Sequence, residues 1–245
     1  MSKLDDLFRQ AATRAPQPLG FGSATRDDSR SGILLIGYAR SQDISKSPEL
    51  AKVAVDAIVL DSGGKAISKT AANALGNTVW GSENAQFDAE GIQGLKEQGC
   101  DFLIFGATGT SVTAINDDDL SSFLQVTGEL DRMTAAAVNA LGFTGLSLVD
   151  ALQDSPLSVQ GMIDLAKLQA QVDGPLLVRG SRAYTTSEIT ALRNAGVNAL
   201  IVALDDAAII KDTRDNMKQV RPKRGSARSS SWTALAPHSS DEEDE

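Results

Sequence analysis

Four times in this sequence a helix-forming run ends on a glycine and an apolar run follows within a few residues. The junctions are Ala74-Leu75-Gly76 before Thr78-Val79-Trp80, Glu97-Gln98-Gly99 before Phe102-Leu103-Ile104-Phe105, Ala140-Leu141-Gly142 before Leu146-Ser147-Leu148-Val149, and Asn194-Ala195-Gly196 before Ala199-Leu200-Ile201-Val202. A helix stops most easily where one residue turns left-handed. Glycine does this without steric cost, and the chain can then re-enter a sheet at once. The intervals are roughly one or two multiples of 22 residues, the length of one strand-plus-helix unit, so the chain alternates strand and helix.

The remaining elements follow from periodicity. Short runs rich in Val, Ile and Leu predict eight strands: 33–38, 57–61, 78–82, 102–106, 123–127, 145–149, 176–180 and 199–204. Their apolar character is that of strands covered on both faces. Helices are expected at 48–53, 66–75, 89–98, 132–141, 156–171, 187–195 and 207–219, with at most one turn in the Gly-, Thr- and Asp-rich stretch 107–122. Ser155-Pro156 and Thr186 or Ser187 before Glu188 carry helix-starting chemistry. Ahead of the first strand, residues 2–14 form an amphipathic helix with Leu4, Leu7 and Phe8 on one face, suited to covering one end of a barrel. Eight strands with crossovers are the inventory of a compact (β/α)8 barrel. A doubly wound open sheet is the competing layout, disfavoured because Gly37-Tyr38-Ala39-Arg40 stands where a Gly-x-Gly-x-x-Gly turn would follow the first strand.

Three regions are expected: an N-terminal helix and connector over 1–31, a barrel over 32–220, and a disordered charged tail over 221–245, which is too Ser-rich and poor in apolar residues to offset the entropy of ordering. Trp232 gives that tail one residue that could anchor a partner. A net charge of −9 argues against general attraction to nucleic acid or to an anionic membrane surface. No apolar run approaches the ~18–20 residues of a membrane span. The opening segment lacks the apolar core of a secretory signal, and the single cysteine, Cys100, has no internal disulfide partner, so a cytoplasmic protein is expected.

The segment from Leu176 to Leu204, with Arg179-Gly180-Ser181 after one strand and residues 188–198 leading into the next, resembles the seventh and eighth units of phosphate-binding TIM barrels. Taken whole, the chain is similar to uncharacterised TIM-barrel-like bacterial proteins, a resemblance that brings no activity with it. It implies an anion site at Gly180 and Ser181, with Arg179 and Arg182 adding positive charge. The second half of the pattern is missing, because Ala203-Leu204-Asp205-Asp206 has no glycine and sets two negative charges where a phosphate would sit.

The one histidine, His238, falls in the expected tail, which removes Ser-His-Asp, Cys-His and His-rich metal chemistry from the folded body. No lysine stands at a strand end, which disfavours Schiff-base chemistry. Carboxylates do collect there: Asp61, Glu83, Glu129, Asp131, Asp150, Asp205 and Asp206. They could serve as an acid/base pair, hold magnesium, or simply cap the helices that follow. Glu83 and Glu129 fit the capping role least and are the candidate catalytic pair; no metal site is assigned and nothing names a cofactor. The sequence reads as a small-molecule enzyme or binder for a polar metabolite, phosphorylated ones among the candidates, bound through Arg179, Gly180, Ser181 and Arg182. The alternative is a non-catalytic barrel serving as scaffold or interaction module. Substrate, reaction and oligomeric state are not legible.

Overall fold

The computed structural model describes residues 2–13, 32–149, 152 and 156–220. The expected tail, the whole of the 14–31 connector, Asp150 and Ser155 lie outside the described residues. Eight parallel strands close into a barrel in strict sequence order: β1 (Leu34–Arg40), β2 (Ala57–Asp61), β3 (Val79–Asn84), β4 (Phe102–Phe105), β5 (Ser121–Val126), β6 (Gly145–Leu148), β7 (Leu176–Arg179) and β8 (Val197–Ala203), with β8 pairing back onto β1. Closure leaves no sheet edge unpaired.

Side chains alternate between two apolar layers. Leu34, Ile36, Ala57, Val59, Phe102, Ile104, Phe123, Leu177, Ala199 and Ile201 fill the barrel interior. The intervening residues, such as Leu35, Ile58, Leu60, Trp80 and Leu103, form the second layer beneath the surrounding helices. The interior is therefore a packed core whose chemistry can only sit at its ends.

The helices are α1 (Lys3–Thr13), α2 (Ser41–Lys46), α3 (Lys69–Ala74), α4 (Ala89–Glu97), α5 (Arg132–Leu141), α6 (Val159–Gln171), α7 (Thr186–Asn194) and α8 (Ala207–Gln219). All four junction glycines take positive φ: 56° at Gly76, 83° at Gly99, 75° at Gly142 and 97° at Gly196. The fourth connection holds only a 3-10 turn, Val112–Ala114, as its composition implied.

Several boundaries differ from the sequence expectation. The helix expected at 48–53 is a 3-10 turn, Pro48–Lys52, preceded by the unforeseen α2; Pro48 forbids helical geometry at Ser47, whose φ and ψ are −134° and 79°, and splits the crossover in two. Helix α6 begins at Val159, three residues after Pro156, because the Ser158 hydroxyl accepts the Gly161 N–H. Helix α7 is capped by Thr185 rather than Thr186 or Ser187, and Glu188 closes a reciprocal capping box. Strand β5 begins at Ser121, two residues early, and β3 runs on to Asn84.

Helix α1 closes the N-terminal end of the barrel. Leu4 is fully buried in the inner layer and the Phe8 ring stands 6.3 Å from that of Phe123. The Asp101 carboxylate, just before β4, accepts the Lys3 and Leu4 N–H groups at 2.8 Å each and so caps a helix nearly a hundred residues away. The opposite end stays open. Among the described residues no helix is long and apolar enough to cross a membrane.

Candidate functional site at the barrel mouth

At the C-terminal mouth the inward alternation of five strands ends on polar residues. Tyr38 follows Leu34 and Ile36 on β1, Asp61 follows Ala57 and Val59 on β2, and Glu83 follows Val79 and Gly81 on β3. Gln125 follows Phe123 on β5 and Arg179 follows Leu177 on β7. Gly81 has to be a glycine, since a Cβ there would strike the backbone oxygen and ring of Phe102. That close approach sets β3 tightly against β4 directly below Glu83.

The five side chains form one network. Arg179 binds Glu83 in a charge-assisted hydrogen bond. Its guanidinium carbon lies 4.2 Å from the centre of the Tyr38 ring, a cation–π contact. The Tyr38 hydroxyl donates to Asp61 at 2.7 Å, whose other oxygen accepts the Gly63 N–H at 2.7 Å. Gln125 donates to Glu83 at 3.1 Å. Burial pushes Glu83, 8% exposed, above the usual carboxylate range against the opposing pull of Arg179. Burial, with the bond to Asp61, also drives the Tyr38 phenol upward, so it stays a proton donor at neutral pH.

This network floors a cleft of about 1110 Å3 that extends past Lys65 and Asp88 toward α4. Among the described residues no group of three or more His, Cys, Asp or Glu is placed to hold a metal ion.

The other residues singled out in the sequence lie elsewhere. Glu129 sits three residues beyond the end of β5, exposed, and pairs with Lys167 of α6 at 3.2 Å; it does not line the cleft. Gly180 is buried against Tyr184, whose ring and hydroxyl occupy the space a Cβ would need. Ser181 is exposed beside it. Arg182 stacks over the Tyr184 ring at 4.5 Å and binds Glu188 through both terminal nitrogens at 3.1 and 2.6 Å. That bond, with the Thr185 contacts, holds Glu188 down at about 2. Of the four residues assigned to an anion turn, only Arg179 faces the cleft.

Asp131 and Asp206 cap α5 and α8. The Gly106–Ser111 loop closes on itself, with Thr110 donating to the Gly106 carbonyl and Ser111 capping the 3-10 turn. Cys100 is buried and donates to the Phe102 carbonyl; burial pushes its thiol up to about 12.

Sequence reasoning missed Tyr38 and Gln125. A signal existed: each stands two residues after an inward apolar position, and the interruption of that alternation by a polar group marks the mouth.

Comparison with solved structures agrees with this architecture. A thiamine phosphate pyrophosphorylase from Pyrococcus furiosus superposes with a TM-score of 0.57 at 13% identity, over 78% of this chain and 98% of that one. KGPDC from Streptococcus mutans gives 0.59 at 11% identity, over 78% and 99%. A mutant tryptophan synthase alpha-subunit from Pyrococcus furiosus gives 0.53 at 11%, over 78% and 98%. The fold is a TIM barrel. Likeness at this identity carries the fold alone. No family model and no curated protein matches the sequence.

Within a TIM barrel the observed network lies where the fold builds its active sites, at the C-terminal ends of the strands. After β7, where the sequence led to the expectation of an anion turn, Gly180 is packed against the Tyr184 ring and hydroxyl. After β8, Asp205 is exposed and Asp206 serves its own helix.

Proposed function

We propose that this TIM barrel binds a polar small molecule at its C-terminal mouth, with Arg179 as the anion contact and Glu83 as the acid/base group. One observation carries the reading. Above a mainly apolar barrel interior, five inward strand-end positions hold Tyr38, Asp61, Glu83, Gln125 and Arg179, joined over an open cleft. A largely desolvated ion pair contributes little to stability compared with apolar residues of similar volume, so packing alone does not account for this choice.

Glu83 has the properties the acid/base role needs. It is buried, its pKa is raised, and it keeps contact with the cleft. Glu129 is exposed and does not line the cleft, and Asp61 takes its place as the second carboxylate in reach, paired in register with Glu83 across β2 and β3. The names of two neighbours, thiamine phosphate pyrophosphorylase and tryptophan synthase alpha-subunit, support a metabolite ligand by analogy of fold. A phosphorylated ligand would bind through Arg179 and would have to displace Glu83 from it, since the glycine turn after β7 is filled.

The rival reading, a scaffold barrel, draws on the same pairings: Arg179 is neutralised by Glu83 and Arg182 by Glu188. A thermal-shift screen with sugar phosphates, nucleotides, flavin and Mg2+ separates the two. Stabilisation by one class, abolished in Arg179→Ala and reduced in Glu83→Gln, is the expected result. A panel that leaves the melting temperature unmoved favours the scaffold.

A further inference from the structure

The floor of the mouth is not electrically balanced. Glu83 and Arg179 pair with each other, so their charges cancel within the network. Asp61 belongs to the same network, yet both groups bonded to it are neutral: the Tyr38 hydroxyl on one oxygen and the Gly63 N–H on the other. Asp61 has no ion-pair partner among the described residues. The wider cleft does not correct this. Its charged lining is four carboxylates, Asp61, Glu83, Asp88 and Glu90, against two cations, Lys65 and Arg179. Lys65 is exposed on the loop after β2, where solvent and salt screen it.

Both sides of the imbalance can be reached from the cleft. Asp61 is half-buried and lines it, and each of its oxygens accepts one hydrogen bond, which leaves lone pairs for a further donor. Arg179 keeps 24% of its side chain in solvent and engages Glu83 through Nη2 alone. Its Nε is buried, whereas its Nη1 has no partner among the described residues and is not shut off from solvent. Tyr38 measures the gap between the two. The guanidinium carbon lies 4.2 Å from the ring centre, and an Asp61 oxygen lies 2.7 Å from the phenol oxygen at the ring's edge. One phenol ring therefore separates an unused N–H edge from an uncompensated carboxylate. The ammonium and carboxylate of a single α-amino acid can span that separation, each within hydrogen-bond reach of its partner.

We infer that the mouth takes a zwitterionic ligand, an α-amino acid or a molecule carrying that headgroup, with its ammonium on Asp61 and its carboxylate on the unused edge of Arg179. This rests on the proposal that the mouth binds a polar small molecule, and it names the class. Charge selects it. A purely anionic ligand meets Asp61 and Glu83 beside its one contact, and a purely cationic one leaves the Arg179 donors idle. A zwitterion neutralises Asp61 while Glu83 stays in place. Burial and the bond to Asp61 keep the Tyr38 phenol protonated, so it adds no competing charge. The cleft, about 1110 Å3, leaves room for the ligand's side chain along Ile67, Phe87 and Leu95.

The test titrates the twenty common L-amino acids into the full chain by thermal shift, beside the panel of sugar phosphates, nucleotides, flavin and Mg2+. The best amino acid is then compared by calorimetry with its 2-hydroxy acid and with its decarboxylated amine. The expected result is saturable stabilisation by at least one amino acid, with both analogues about tenfold weaker or worse. Asp61→Asn keeps an oxygen for the Tyr38 hydroxyl. It should weaken the amino acid by about ten- to a hundredfold, the loss of a charge-assisted hydrogen bond, while the hydroxy acid binds no worse. Arg179→Met should do the reverse and spare the amine. Each preference is read within one variant, so a general change in stability does not imitate it.

If the other panel stabilises and no amino acid does, the zwitterion site is overturned and the mouth reading stands. If nothing in either set binds, both fall. A hydroxy acid that equals its amino acid, or amino acid binding unchanged in Asp61→Asn, also overturns the assignment.

Discussion

Arg179 lies face-on over the Tyr38 ring, 4.2 Å from its centre, while the same guanidinium binds Glu83. The residues come from β7, β1 and β3, so the mouth is held together by charge as well as by the sheet. Replacing Arg179 with Met leaves the Glu83 carboxylate buried without its cation. The expected cost is about 1–3 kcal/mol, below the penalty for a fully buried pair because Arg179 keeps about a quarter of its side chain in solvent. The loss should grow as pH rises, since a carboxyl with a raised folded pKa destabilises the fold once it ionises. Arg179→Met/Glu83→Gln should recover most of it in urea unfolding. Strictly additive single-variant losses would show that the two do not act as a pair.

The plug formed by α1 makes a second prediction. Leu4 is fully buried in the inner layer, whereas Phe8 packs at its margin against Phe123. Leu4→Ala should cost about 2–4 kcal/mol and Phe8→Ala about 1–2 kcal/mol, the smaller figure reflecting a half-buried ring on a terminal helix that can relax. Equal losses in denaturant titrations would contradict this division of the contact.

Gly76 isolates the backbone contribution of the helix-to-strand junctions. Its φ is 56° and a Cβ there would meet nothing within 4 Å. Gly76→Ala should therefore destabilise by about 1 kcal/mol through left-handed strain alone, and Gly76→Asn by less, because asparagine tolerates this region better. A neutral alanine variant would mean that the junction relaxes out of the left-handed region.

Glu188 predicts an acid limb in stability. It accepts from Arg182, from Thr185 and from the Leu157 N–H, and its pKa is lowered from 4.5 to about 2. The stabilisation from its ionised form is complete above the unfolded value of 4.5 and is lost as pH falls from there toward about 2. Melting curves of Glu188→Gln should lie below those of the parent at pH 6 and converge with them as the pH approaches 2. A constant offset across that range would rule out ionisation as the cause.

How much of this was legible in the sequence depended on how far apart the deciding residues stand. The glycine junctions, the eight apolar runs and the α1 face are decided by residues within one turn or one strand of each other, and these came through. Element ends slipped where a proline or a cap competes with periodicity, as at Ser47-Pro48 and at Ser158. The candidate pair divided for a related reason. Strand β3 continues past Ser82 and carries Glu83 inward, while β5 stops at Val126 and leaves Glu129 in the loop with Lys167. Local propensity does not show where a strand leaves the sheet, because its neighbours' register settles that.

By itself, then, the sequence determined the alternation of strand and helix, the (β/α)8 inventory, the N-terminal amphipathic helix and the absence of histidine chemistry from the body of the chain. These follow from composition and from contacts close along the chain. Only the tertiary structure decided that Tyr38, Asp61, Glu83, Gln125 and Arg179 share one mouth and that Tyr184 packs against Gly180. Each depends on strand register and on which way alternate side chains turn when the sheet closes. A one-residue shift in register would send every one of these groups to the other face.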